Sequence, residues 1–437
     1  MEYKLAEYEL EKNALDALRS ASTRVSSNVI TLFETNSNKR KSYNMEEMST
    51  SLLSQVVLQF AHDRFCGNDE VVFPPECMLF LEEYAKESLK FRLFLHAVKK
   101  LSKSPLRDED AQHIKLCLSR IVNLLNKEYI DIYKNILGEH LLKEITSIAK
   151  EHRPVKNYLD DTTKCILEKI NKLPTIYDML LLLNNEKGPY LVNRSCQTYQ
   201  VIVILEYLLN SFEIWSKPDS NTSELTSFRR FIPILELVLA DTDILVKEHM
   251  QWNEELYQRK NADSNSYTFG EKIDFILKDG DNNELNTGEF KKKNVSKPIK
   301  VTQQIKNIRD NAAILIESKK LTKNDIAVNG IDYIGNTGYL YEIVNFKDVI
   351  IALPVSKLNT PHNLATLNHF GDTLNSLYYL KSKLVELSNK VKMGKAKELF
   401  NYDLIDVFDT VDDVKDDDVE NEETNVFYAP KSKKIEV

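Results

Sequence analysis

The chain has 437 residues, of which 42% are hydrophobic and 28% charged, a composition that is ordinary for a folded globular protein and excludes a wholly disordered one. Its length predicts two or three domains. The longest apolar run, residues 201–209, is interrupted by Glu206 and is far shorter than the ~20 residues that cross a bilayer, so we expect no membrane partner.

The start of the chain and its cysteines predict an intracellular protein. Glu2 and Lys4 place charge at the very beginning, where a secretory signal would have an apolar core. The five cysteines are widely spaced and form no CxxC pair, so the sequence predicts neither a disulfide framework nor a zinc site. A nuclear or cytoplasmic location follows as our expectation.

Residues 1–245 have the periodicity of helices. Apolar residues recur at spacings of three and four, as at Leu81 and Tyr84 and again at Phe91, Phe94 and Val98. Only three of the eleven glycines precede residue 270. The sequence therefore predicts an all-helical N-terminal region. It contains no motif of a reaction, and we expect it to recognise a protein partner or to shape a substrate channel.

From Gly270 onward the pattern is that of strands joined by turns. Two strands, 272–278 and 284–291, flank the turn residues 279–283 and predict a hairpin. An amphipathic helix is expected over 303–317, strands over 327–334, 339–344 and 349–355, and a long helix from Pro361 to about Val391. The predicted fold class is α+β and multidomain. An α/β domain, residues 246–395, has a mixed sheet flanked by helices and follows the all-helical region.

The order of these elements carries a resemblance to a known family. Asp274 lies in the first strand of the hairpin, the triplet 289–291 (Glu-Phe-Lys) in the second, and Gln304 and Lys306 in the helix that follows. This arrangement resembles the PD-(D/E)XK (restriction-endonuclease-like) nuclease superfamily, as found in a group of fungal proteins, and covers about residues 246–395. Ile273 stands where the family motif has its proline.

The resemblance implies a nuclease that hydrolyses phosphodiester bonds of DNA or RNA with the help of a metal ion. Asp274, Glu289 and Lys291 are then the catalytic residues, and Asp274 and Glu289 bind Mg²⁺ or Mn²⁺. The family often adds a metal-binding acid from the helix before the first strand. Three glutamates between residues 248 and 255 qualify, and Glu255 is our assignment.

The residues themselves suit this chemistry. Side chains two apart on a strand share a face, so Glu289 and Lys291 project together, with Asp274 across the hairpin. Mg²⁺ prefers oxygen ligands, and a lysine can stabilise charge that develops on a phosphate. A bare Glu-x-Lys triplet is weak by itself, because it also occurs at 2–4 and 317–319, where no acid-bearing strand precedes it.

Cations next to the triplet predict contact with a nucleic-acid backbone, although a solvated basic face is the alternative. The predicted nucleic-acid-binding residues are Lys292, Lys293, Lys297, Gln304, Lys306 and Arg309. Two other functions stay open. The chain could be a catalytically inactive nuclease-fold protein that binds nucleic acid, or a helical scaffold for protein interactions.

The C-terminal segment is strongly acidic. Residues 401–437 contain 12 acidic and 4 basic side chains, which equals the net charge of −8 of the whole chain. Such a run repels itself and predicts a disordered tail over residues 396–437. The tail would either keep the protein soluble or occupy the cationic groove as a phosphate mimic.

Overall fold

A computed structural model describes residues 49–103, 108–151, 157–215, 223–248, 273–407 and 426–427. Residues 50–248 and 274–437 form one compact unit. Residues 1–49 and 249–273 form a second unit, of which Ser49 and Ile273 are described.

The N-terminal half of the first unit is built mainly of helices. They are α1 (Thr50–Phe65), α2 (Pro75–Tyr84), α3 (Leu89–Leu101), α4 (Asp108–Leu118), α5 (Lys127–Leu137), α6 (Glu139–Glu151), α7 (Asp161–Ile170), α8 (Ile176–Lys187), α9 (Gln197–Trp215) and α10 (Glu224–Leu239). Several begin where the sequence provides a cap. Asp160 and Ser223, for example, accept hydrogen bonds from the backbone amides of Thr163 and Thr226.

Seven strands form one mixed sheet. They are β1 (Ile121–Asn123), β2 (Leu245–Glu248), β3 (Phe275–Lys278), β4 (Glu284–Lys291), β5 (Ala327–Ile334), β6 (Thr337–Phe346) and β7 (Val349–Asn359). Their order across the sheet is β1-β7-β6-β5-β4-β3-β2. The β1–β7 and β4–β5 pairs are parallel, and the other neighbours are antiparallel.

Three helices complete the unit: α11 (Lys297–Thr322), α12 (Leu364–Leu367) and α13 (Phe370–Val407). The protein is therefore mixed α/β with helices packed on a seven-stranded sheet. The prediction that residues 1–245 are all-helical is wrong at Ile121–Asn123, which pairs in parallel with β7 and extends the sheet at that edge. Residues 396–407 of the predicted tail continue α13, and residues 408–425 and 428–437 lie outside the described residues.

The two faces of the sheet differ in chemistry at β4 and β5. Phe290 and Tyr333 are register partners whose rings stack at a centroid distance of 5.1 Å. The α10 rings pack on this apolar face, with Phe231 4.4 Å from Tyr333 and Phe228 5.2 Å from Phe290. Because strand side chains alternate between faces, their neighbours Glu289 and Asp332 project to the opposite face, which α11 covers.

None of the helices in the described ranges is long and apolar enough to span a membrane.

A close approach between β5 and β6 makes Gly330 sensitive to substitution. A methyl group at Gly330 would lie 2.1 Å from Cζ of Tyr341, its partner on β6. We expect Gly330→Ala to lower the free energy of unfolding by about 1–3 kcal/mol, because the ring must shift within a packed core. Urea unfolding measures the change. Gly188→Ala is the control, since no atom lies within 4 Å of its added methyl group. Equal stabilities of the two variants would contradict this prediction.

Candidate active site

The predicted hairpin brings Asp274 next to Glu289 and Lys291. Asp274 directly precedes β3, and β3 pairs with β4 so that Phe275 lies opposite Gly288. The Oδ2 atom of Asp274 accepts a hydrogen bond of 2.6 Å from the backbone amide of Phe290, which fixes the carboxylate against β4. The side chain of Asp274 is 13% exposed. The first strand of the hairpin begins at Phe275, so Asp274 lies at its very start.

The ammonium of Lys291 lies among three carboxylates. Its Nζ atom is 3.2 Å from Oε1 of Glu224, 3.7 Å from Oε2 of Glu289 and 4.0 Å from Oδ2 of Asp274. It also donates to the backbone oxygen of Phe290 at 2.7 Å. Glu224, Asp274 and Glu289, which we call the carboxylate cluster, therefore surround one cation. They come from the start of α10, the start of β3 and the middle of β4.

Sequence reasoning missed Glu224. It is the first residue of α10, the helix that precedes β2 and β3, and it follows the capping residue Ser223. The acid expected from a preceding helix was assigned to Glu255, which lies outside the described residues. Of the other two glutamates considered, Glu254 is likewise outside, and Glu248 is exposed on β2. Glu224 could have been identified as an acid at the start of a predicted helix that precedes the hairpin.

Glu289 is the most buried member of the carboxylate cluster. Its side chain is 4% exposed, and its Oε1 atom accepts a hydrogen bond of 2.5 Å from Nζ of Lys306 on α11. Burial raises the pKa of Glu289 to about 8, and the charge of Asp274 adds to the rise, whereas Lys306 and Lys291 oppose it. Loss of water around this carboxylate thus outweighs the two ammonium groups. An additional positive charge near Glu289 would favour its ionised form.

Behind Glu289 lies a buried polar network centred on Asp332. Asp332 is the register partner of Glu289 on β5 and is 1% exposed. Burial raises its pKa to about 6, although hydrogen bonds favour the ionised form. The carboxylate accepts from Tyr339 at 2.7 Å, Asn307 at 3.0 Å and Gln303 at 3.2 Å. These bonds connect α11 with β5 and β6. Sequence reasoning did not single out Asp332, because it lies beside Glu289 only through the parallel pairing of β4 with β5, which the sequence does not reveal.

Gln304, which is half-buried, belongs to this network. Its amide donates to the hydroxyl of Tyr339 at 2.8 Å and accepts from Asn123 at 3.0 Å. Gln304 therefore connects α11 with β6 and with β1 at the sheet edge. Its position indicates a structural role, which differs from the nucleic-acid contact that the sequence predicts.

The predicted phosphate-binding cations fall into two groups. Lys292 and Lys293 are exposed after β4, and Lys297 at the start of α11 is exposed and paired with Glu128. Lys306 instead contacts Glu289, and Arg309 is 4% exposed and donates to the backbone oxygen of Phe427 at 2.6 Å. The reason is that the central part of α11 is enclosed between the sheet and other elements, so Lys306 and Arg309 turn inward, whereas Lys297 at the start of the helix is exposed.

The side chains of Asp274 and Glu289 fit a hard divalent cation in their chemistry. A carboxylate oxygen of each lies within 4.0 Å of the Lys291 ammonium, so the two side chains already face a positive charge. Among the described residues, no group of three His, Cys, Asp or Glu side chains is arranged to hold a metal ion by itself. Mg²⁺ needs fewer, since it commonly binds through one or two carboxylates and completes its shell with waters and phosphate oxygens. The donor set suits Mg²⁺ or Mn²⁺ better than zinc, because it lacks nitrogen and sulfur ligands.

What the carboxylate cluster can do chemically follows from its local geometry and from its residue types. No family model, no curated protein and no solved structure matches this chain.

Proposed function

We propose that this protein is a metal-dependent nuclease that hydrolyses phosphodiester bonds of DNA or RNA, with a domain of the PD-(D/E)XK type. One observation carries the proposal: a lysine and three carboxylates from separate elements converge at one end of β4. The order of elements on which the family resemblance rests also supports it. A helix, α10, precedes a hairpin with Asp274 and Glu289, and α11 and the parallel strand β5 follow.

The proposed mechanism assigns a separate task to each side chain. Asp274 and Glu289 would hold Mg²⁺ or Mn²⁺, which supplies positive charge to the scissile phosphate and acidifies water. Lys306 keeps Glu289 oriented through its 2.5 Å contact. Lys291 stabilises negative charge that develops on the phosphate. Glu224 orients the Lys291 ammonium from the opposite side, at 3.2 Å.

A second candidate function is nucleic-acid binding without hydrolysis. Two lysine ammonium groups already lie within 3.7 Å of Glu289, so the cluster is partly neutralised by the protein itself. In this case the cluster would be a structural ion-pair network. The remaining candidate, a helical scaffold for protein interactions, has less support. No surface of the described helices points to it, whereas the carboxylate cluster supports the first candidate.

Hydrolysis of labelled DNA and RNA by the purified full-length chain tests the proposed function. We expect cleavage with Mg²⁺ or Mn²⁺ and none with EDTA. Binding of either nucleic acid without cleavage, under all metal conditions, would favour the second candidate. If the protein neither binds nor cleaves either nucleic acid, both candidate functions are overturned.

The exposed lysines after β4 lead to a separate prediction on binding. If Lys292 and Lys293 contact phosphates, replacing each with glutamine should reduce the slope of log affinity against log salt by about 0.9 per lost contact on duplex DNA. Fluorescence anisotropy over a salt series measures the slope. The matched control is Lys319→Gln, which removes a lysine from the last turn of α11. A slope unaffected by the first two changes would mean that these lysines form only a solvated face.

A further inference from the structure

A short C-terminal segment is docked into the body of the protein. Val426 and Phe427 are 5% and 7% exposed, although they lie 19 and 20 positions beyond the end of α13 at Val407. The ring of Phe427 lies 5.8 Å from that of Phe65, the last residue of α1. We call Val426 and Phe427 the C-terminal anchor. Burial of two apolar side chains indicates a specific contact of this segment with the helices around it.

Both backbone polar groups of Phe427 are bound by side chains of the body. Its amide donates to Oγ of Ser119, which follows α4, at 3.2 Å, and its carbonyl oxygen accepts from Nη2 of Arg309 on α11 at 2.6 Å. Ser119 is fully buried and Arg309 nearly so. These partners lie 308 and 118 positions away in the chain. Phe65, Ser119 and Arg309, which we call the socket, therefore hold one residue by its ring and by its main chain.

This pattern is that of peptide recognition. Peptide-binding sites that take an extended ligand commonly hold its main chain through hydrogen bonds and accept individual side chains in pockets. A bond from a charged guanidinium to a carbonyl is among the stronger hydrogen bonds. In the described chain, residues 426–427 belong to no helix or strand, and the amide and the carbonyl of Phe427 are both bound by the socket.

We propose that the socket is a binding site for a short peptide with an aromatic residue after a β-branched one, and that its occupant is the chain's own C-terminal segment. The contacts of Phe427 with the socket hold the anchor, and its covalent link to the body raises its effective concentration there. A contact of this size opens locally without unfolding the rest of the protein. The proposal concerns the C-terminal segment and is independent of the proposed nuclease activity.

The test cuts the chain after it has folded. A protease site placed between Asp418 and Val419 of the full-length protein allows cleavage in the native state, which leaves the C-terminal fragment bound only by its own contacts. We expect the fragment to co-elute with the body in gel filtration at micromolar concentration. A labelled peptide of residues 422–431 should then displace it. The same peptide with Phe427→Ala should bind at least about thirtyfold more weakly, from the apolar area that it no longer buries.

Two variants of the cut protein separate docking from folding. Ser119→Ala removes the acceptor of the Phe427 amide and should weaken peptide binding about fivefold to tenfold. Tyr177→Ala is the matched control, because it removes an aromatic ring that is 73% exposed on α8; it should leave peptide binding unchanged. The competition arm uses the wild-type socket, so a variant that fails to fold does not decide the result. Loss of the fragment immediately after cleavage, or equal binding of the wild-type and Phe427→Ala peptides, would overturn the proposal.

Discussion

Glutamine in place of Glu289 is expected to lower the rate of phosphodiester hydrolysis by at least about a hundredfold, the order of effect seen when an enzyme loses a principal electrostatic group. The substitution keeps the shape of the side chain but removes the carboxyl group that ionises when a metal ion binds. Lys306, 2.5 Å away, would lose its carboxylate partner at the same time. The substitution therefore removes a proposed metal ligand and disturbs the charge balance around Lys291.

A second buried carboxylate on the same strand provides the matched control. Glu284, at the other end of β4, is 7% exposed and paired with Lys278 at 3.3 Å. Glu284→Gln thus breaks a buried ion pair of the same type, outside the carboxylate cluster. We expect it to reduce stability but to leave the rate constant of the folded enzyme within a few-fold of wild type. Single-turnover cleavage, with folding checked by circular dichroism, measures both variants.

Substitutions of Asp274 and Lys291 should have effects of the same order as that of Glu289, whereas Gln304 should have a smaller one. Asp274→Asn and Lys291→Ala should each cause a loss of about a hundredfold, since both touch the position proposed for the metal or the phosphate. Gln304 should matter less, because it binds Asn123 and Tyr339. If Glu289→Gln and Glu284→Gln lose the same activity, or if Glu289→Gln loses none, the cluster has no part in catalysis.

The strands near the site could be predicted from the sequence because their signals are local. The bounds predicted for β4 and β5, 284–291 and 327–334, are those of the structure. Turn residues at 279–283 mark the hairpin, and Asn282 adopts a left-handed φ of 64° there. Alternation along β4 also predicts that Glu289 and Lys291 share one face of the strand and that Phe290 projects from the other. The proximity of Asp274, Glu289 and Lys291 could therefore be predicted from the hairpin alone.

Glu224 and β1 could not be predicted, because their positions depend on contacts that are distant in the sequence. Glu224 lies 67 positions before Lys291, and it reaches this residue because α10 packs its phenylalanines on Phe290. The three residues of β1 are too few to show an alternating pattern, and their partners on β7 start at Ile350. Pairing of this kind is decided by packing of the whole unit and leaves no local sequence signal.

Arg309 shows a different limit of sequence reasoning. A run of cations suggests a basic surface, but the direction of a helical side chain depends on which face of the helix is covered. The 26-residue helix α11 buries residues on almost every side in its central part, including Asn307, Ile308 and Arg309 in succession. A cation in such a helix must be paired or hydrogen-bonded inside the protein. Charge alone therefore could not separate Arg309 from the exposed Lys292 and Lys293.

Below pH 6.5 the buried His113 and its half-buried neighbour His96 are expected to lower the stability of the protein, with a sign opposite to that of the buried acids Glu289 and Asp332, whose pKa values are raised. The rings of His96 and His113 lie 5.4 Å apart, and His113 also lies 4.7 Å from Tyr129 and 5.2 Å from Tyr133. Burial, with smaller contributions from the charges of His96 and Lys100, lowers the pKa of His113 from 6.5 to about 3. Burial likewise lowers the pKa of His96, to about 4.

The sign of the effect follows from proton binding in the two states. Between the unfolded pKa of 6.5 and the folded value of about 3, the unfolded chain holds a proton on His113 that the folded chain does not. The stability that His113 contributes is therefore complete above pH 6.5 and falls as the pH decreases, by about 1.4 kcal/mol per pH unit for this one group. At pH 4.5 the loss from His113 is about 3 kcal/mol, a large part of the ~5–15 kcal/mol that keeps a typical protein folded.

His113→Phe keeps a ring between the two tyrosines and removes the titrating group, so the stability of this variant should depend less on pH by that amount. Urea unfolding at pH 7.5 and 4.5 measures the difference, with the exposed His369 replaced by phenylalanine as the control. If the wild type and His113→Phe lose equal stability between these two pH values, His113 is not a source of the acid sensitivity.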